Sequence, residues 1–230
     1  MAKTTTDPYA ESAERFRSDT KDHELTILHD DGLYRHLRFK RPETGMYWFE
    51  LITWPGALAF RGDTNAQFIF SRETDMFPFF RARAGWNDGT INPGYWAEKI
   101  QDGRSRAVTY SEKLFREQVW SAVRQRISGA TGGCPGLAKA VEAAMTDDYN
   151  TSYEEGALEM LRDFDWEPEE PKQAGAFIQV TPKDEPFRFV DAREWGIKDF
   201  DHWYLWACHA IQWGIDQYDA AKSAVPATAS

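Results

Sequence analysis

Along the first third of the chain, apolar residues come in short runs of period-two alternation interrupted by turn residues. LTILH (25–29) and LYRHLRFK (33–40) flank Asp30-Asp31-Gly32, where glycine can take a positive φ, and together they predict a hairpin. MYWFELITW (46–54) runs to Pro55-Gly56, a pair suited to a type II turn, and ALAFR (57–61) returns from it. After Gly62-Asp63-Thr64-Asn65, AQFIFSR (66–72) adds a fifth run. Connections this short exclude parallel crossovers, so the region reads as an antiparallel meander. Alternation puts Leu33, Leu37 and Phe39 on one side of the second strand and Tyr34, His36, Arg38 and Lys40 on the other. On the third, Tyr47, Phe49 and Leu51 oppose Trp48, Glu50 and Ile52.

Beyond residue 72 the period becomes helical. Thr74-Asp75 predicts a cap for MFPFFR, and Asn92-Pro93 one for GYWAEKI. Thr109 with Glu112 forms a capping box ahead of a helix whose Phe115, Val119, Val123 and Ile127 make one stripe, ending at Ser128-Gly129. PGLAKAVEAAM starts another helix, and Thr151 with Glu154 caps one that holds Leu158, Leu161 and Phe164. WEPEEPKQAG (166–175) is an acidic, proline-broken connection, and FIQV (177–180) with FRFV (187–190) predicts an extra hairpin. The stretch from about Asp201 to Lys222 is aromatic on several faces, the mark of a central helix. The expected fold is therefore α+β: a meander of about five strands packed with several helices. Residues 1–22 and 223–230 lack an apolar period and are expected to be mobile tails around a single domain over 23–222, sheet-rich over 23–72 and mainly helical over 73–222.

Composition adds core-forming capacity and removes some functions. The chain of 230 residues carries 10 Trp, 9 Tyr and 15 Phe, and each ring can bury about 150–250 Å². No apolar run reaches the roughly 18–20 residues of a membrane span, and the N-terminal stretch does not resemble a signal peptide, so a cytoplasmic location is expected. Two cysteines, Cys134 and Cys208, are too few for a disulfide framework or a zinc site. The net charge of −10 argues against general nucleic-acid binding, which needs a basic face. The charge is unevenly spread: from Gly32 to Arg83 eight Lys or Arg stand against five Asp or Glu, and from Val141 to Asp201 six stand against seventeen.

The glycine-rich loop at 128–136 lacks the Gly-Lys-Ser/Thr ending of a phosphate-binding loop and reads as a linker, with Cys134 a small loop residue. His202, His209 and Asp216 recur every seven residues, too far apart for the usual metal spacing on a helix, and read as core histidines. No metal or cofactor is expected. Arg35, Arg38, Arg61, Arg72 and Arg81 lie among Tyr34, Trp48, Phe60 and Phe70. Guanidinium groups pair bidentately with phosphate or carboxylate and aromatic faces stack on bases, so this set points to a nucleotide-like anion. Arg38, Arg61 and Arg72 are the candidate anion contacts, Trp48 the stacking face and His36 a hydrogen-bonding partner. The bland reading of the same arginines is ion pairing to Glu50, Asp63 and Asp75.

Two alternatives stand beside it. One is a nucleotide phosphodiesterase or hydrolase using His36 with Asp30 or Glu50. The other is a protein-binding inhibitor whose acidic helical half, Glu154, Glu155, Asp163, Asp165, Glu167, Glu169 and Glu170, docks a basic host protein.

HDDGLYRHLRFK (29–40), MYWFELITWPGAL (46–58), FIFSRETDMFPFFR (68–81), INPGYWAEKI (91–100) and WYLWACHAIQWGIDQYDAAK (203–222) together resemble a widespread family of phage- and prophage-encoded proteins without assigned activity. The resemblance implies an accessory protein of the bacterial host cytoplasm that counters host defence. With the arginine set, it gives the expectation of a non-enzymatic protein that sequesters a nucleotide-like ligand, with a host defence protein as the other partner class and a homo-oligomer as a further expectation.

Overall fold

The computed structural model describes residues 7–81, 90–129, 134–168 and 186–224. The chain forms two compact units: a sheet unit comprising residues 1–108 and 200–230, and a helical unit comprising residues 109–199. This differs from the single domain over 23–222 read from the sequence. No linker marks the division because the chain crosses it at ordinary strand residues, within β7 (Val108–Tyr110) and β8 (Lys198–Phe200), which pair with each other.

The sheet unit is built on the expected meander. Six antiparallel strands lie in chain order: β1 (Glu24–Asp31), β2 (Tyr34–Lys40), β3 (Phe49–Trp54), β4 (Ala57–Gly62), β5 (Phe68–Phe70) and β6 (Ile100–Asp102). Gly32 and Gly56 take φ of 59° and 90° in the first and third turns, as the sequence requires. The sixth strand replaces the end of the helix expected over GYWAEKI. That helix, α3 (Pro93–Ala97), is capped by Asn92 accepting from Tyr95 N at 3.2 Å, but stops early and lets Ile100 pair with Phe70.

The sheet's two faces differ as the alternation predicts. Leu37, Phe39, Phe49, Leu51, Leu58, Phe60, Phe68 and Phe70 are buried on the inner face. Against them lies α7 (His202–Ala224), with ring pairs Phe39–Trp213 at 5.4 Å, Phe49–Trp206 at 5.6 Å and Phe68–Tyr204 at 5.2 Å. Gly214 lets the helix approach closely, for a Cβ there would stand 2.9 Å from Leu51 and 3.0 Å from Phe39. The short helix α2 (Phe77–Phe80) also packs on this core, Phe77 meeting Tyr218 at 5.5 Å.

The segment expected to be a mobile tail contains α1 (Ala10–Thr20). Its sequence has too few apolar residues to show a period, yet Phe16 is buried against Trp206 and Trp213, and Asp19 accepts from Trp206 Nε1 at 3.2 Å. Tertiary contact with α7 holds this helix where local patterning could not reveal it.

In the helical unit, α4 (Glu112–Gly129) buries Phe115, Val119 and Val123 as expected, and α5 (Leu137–Ala143) and α6 (Glu154–Asp163) complete a second core. The two capping boxes are not formed. Ser111, not Thr109, accepts from Leu114 N, and Thr151 is buried with its hydroxyl donating to Met145 O at 3.3 Å. Phe187 pairs with Trp166 in a single bridge, while FIQV lies outside the described residues.

Candidate functional site

The outer face of the sheet gathers part of the predicted set around one carboxylate. Cross-strand register aligns Arg38 on β2, Glu50 on β3 and Arg61 on β4, with His36 two pairs along, opposite Ile52. Glu50 is fully buried beneath them although its strand is an otherwise alternating one. Arg38 holds Oε1 with Nε at 2.7 Å and Nη2 at 2.6 Å. Oε2 lies 2.8 Å from Arg61 Nε and 3.1 Å from His36 Nε2, close enough for strong attraction, yet neither donor is in line for a good hydrogen bond. That oxygen is thus held by charge rather than by directed bonds.

Burial works against ionising Glu50. The bond from Arg38, the adjacent imidazole of His36 and the charge of Arg61 outweigh it and hold the carboxyl below its ordinary value. With Glu50 ionised, two guanidiniums against one carboxylate leave a net charge of about +1 on the cluster before any proton on His36 is counted. The surplus faces solvent: the side chains of Arg38 and Arg61 are 43% and 54% exposed.

Trp48 lies over both arginines, its ring 6.0 Å from the Arg38 guanidinium carbon and 5.5 Å from that of Arg61. Its placement follows from the turn residues. Tyr47 adopts φ of 57°, so β3 starts only at Phe49, and Asp63 fixes the corner by donating from N to Trp48 O at 2.8 Å and accepting from Tyr47 N. A Cβ at Gly62 would come within 2.3 Å of Trp48 O, so glycine there is what allows the backbone of Trp48 to lie against β4.

The remaining candidates go elsewhere. Arg72 lies past the end of β5, half-exposed and 3.7 Å from Glu73, outside the row formed by Arg38 and Arg61. Arg35 points to the inner face, where it pairs bidentately with Asp75 at 2.9 and 3.1 Å and covers the Phe77 ring at 4.4 Å. Arg81 is bidentate to Asp219 at 2.7 and 2.8 Å. Asp30 shares the inner face with its cross-strand partner Arg35 and accepts from Tyr218 and Lys222 at 2.9 and 3.0 Å. The His36–Asp30 pairing therefore does not form: a bulge between Ile27 and His29 sets the register, and the two residues face opposite sides. His36–Glu50 does form, but a carboxylate already held by Arg38 and Arg61 is poorly placed to take up a proton.

His202, expected in the core, is exposed at the first residue of α7. His209 lies 3.0 Å from Ser12 on α1, and burial pushes its pKa down to about 4. Local sequence does not show this contact, because Ser12 lies in a stretch without an apolar period. Cys134 and Cys208 are buried, and burial raises the Cys208 thiol far above its ordinary value. Among the described residues no group of three or more His, Cys, Asp or Glu could hold a metal ion, and no helix is long and apolar enough to cross a membrane. The acidic surface of the helical unit is interrupted by basic partners: Glu154 pairs with Lys198 at 2.8 Å, Asp163 with Arg162 at 2.7 Å, and Asp165 with Arg188. Glu169 and Glu170 lie outside the described residues.

No family model, curated protein or solved structure matches this chain.

Proposed function

We propose that the sheet unit is a binding module that captures a small phosphate-bearing, nucleotide-like anion on its outer face, without turning it over. The observation that carries this reading is the pair of half-exposed guanidiniums fixed on one buried carboxylate beside Trp48. Glu50 orients Arg38 and Arg61 and offsets half their charge, leaving donors and a positive surplus directed outward. Charge-assisted hydrogen bonds from pre-oriented guanidiniums suit a phosphate, and the neighbouring indole suits a base. Arg72 has no part in this site. The biological setting, a phage accessory protein that sequesters a host signal, is drawn from the sequence resemblance.

The test is mass spectrometry of small molecules released by heat from protein purified out of phage-infected, defence-active bacteria. One intact nucleotide per chain is the expected result. A dephosphorylated or cleaved product, or nothing recovered from such cells, would displace the capture reading. The first outcome would favour hydrolysis involving His36, and the second a protein target.

A further inference from the structure

The outer face continues past the arginine cluster to a second aromatic station. Tyr34 on β2 and Trp54 on β3 stand on neighbouring strands, one residue beyond the Arg35–Thr53 pair, and are 54% and 37% exposed. Tyr34 and Arg38 are four positions apart on β2, about 13 Å at roughly 3.3 Å per residue. The row between them is formed by the pairs His36–Ile52, Ile52–Ala59 and Ala59–Ile69, uncharged on β3, β4 and β5. A cationic cluster with one aromatic ring beside it is thus joined by a mostly apolar floor to two more exposed rings.

We infer that this face takes a short single strand of nucleic acid, two or three nucleotides long, with a phosphate on Arg38 and Arg61 and a base farther along stacked on Tyr34 and Trp54. The inference rests on the anion-binding reading above and specifies its ligand. A single nucleotide, whose base is one sugar away from its phosphate, fills the Arg38–Arg61–Trp48 end and leaves the far rings bare. An extended strand of two or three spans the face. Aromatic rings accept any base by stacking, and guanidiniums supply the complementary charge. The same charge argument limits length: a protein of net charge −10 gains nothing from phosphates that extend beyond the cluster.

The experiment is calorimetric titration with oligodeoxyadenylates of one to six nucleotides. Affinity is expected to rise at least about tenfold from one to three nucleotides and then level off, since each stacked base contributes about 1–3 kcal/mol. The log–log salt slope for the trinucleotide should be near about −0.7, the value for the single phosphate held by Arg38 and Arg61. In the double variant Tyr34→Ala/Trp54→Ala the loss should fall on the trinucleotide and not on the mononucleotide, and Trp54→Phe, which keeps a stacking face, should recover most of it. Affinity independent of length, or a double variant that binds the trinucleotide as the wild type does, would overturn the inference while leaving the anion site standing. If the wild type binds neither the mononucleotide nor inorganic phosphate, the underlying reading fails with it.

Discussion

Glu50→Gln separates the two roles assigned to the outer-face cluster, because it should weaken the fold and strengthen the anion site at once. The substitution keeps the shape of a side chain with no exposure and removes its charge, leaving Arg38 and Arg61 without their shared counter-ion. Removing one partner of a buried ion pair costs about 3–5 kcal/mol. Here the guanidiniums left behind are 43% and 54% exposed and can rehydrate, so about 2–3 kcal/mol is the appropriate figure. At about 2–4 °C per kcal/mol that is a fall of about 4–12 °C in the transition of the sheet unit. Differential scanning calorimetry is the suitable assay, since the two units need not melt together.

The variant also raises the cluster's charge from about +1 to about +2, so phosphate at ten times its Kd should return about 1.4 kcal/mol to the variant, and at equal concentration less to the wild type. The pH dependence has a definite sign. The folded state holds Glu50 below its ordinary value of 4.5, so its contribution is present above that pH and is lost as pH falls through the lower folded value. The gap between wild type and Glu50→Gln should therefore be full at neutral pH and close in acid. A variant that melts within a degree of the wild type at pH 7, or a phosphate effect equal in both, would refute this reasoning.

Two further outcomes follow from the packing. Gly214→Ala should destabilise the sheet unit by about 1–3 kcal/mol despite alanine's better helix propensity, because its Cβ would meet Leu51 and Phe39 at 2.9 and 3.0 Å; chemical denaturation that shows a gain would count against the close approach of α7. His209, neutral by burial and lowered to about 4 from 6.5, contributes stability that is whole above pH 6.5 and declines as pH falls toward 4; His209→Gln should flatten that decline in unfolding free energies measured between those values.

Much of this architecture was legible because local chemistry and tertiary structure agree. The glycines of the first and third turns, the alternation on β2 and β3 and the mixed aromatic character of α7 each point to the element found. The misses share one cause: contacts distant in sequence. Helix α1 depends on Phe16 and Asp19 meeting α7 almost two hundred residues later, and β6 on Ile100 reaching Phe70 from beyond α2 and α3. The site was half legible. Alternation grouped His36 with Arg38 on the second strand and Trp48 with Glu50 on the third, and it is the pairing of β2, β3 and β4 that sets Arg38 and Arg61 on either side of Glu50. It could not show that Arg72 falls past a strand end, nor that a bulge turns Asp30 away from His36.

The most direct measurement is calorimetric titration of adenosine monophosphate into the wild type and into Arg61→Gln at low salt, with folding of both verified by circular dichroism. Arg61 makes a single close approach to Glu50, so its loss should leave Arg38 in place and the sheet intact. One site per chain, weakened about tenfold or more in the variant as a charge-assisted contact of about 1.5–3 kcal/mol is removed, is the expected result. Equal affinity in the two proteins, or no binding by either, would contradict an anion site on the outer face of the sheet.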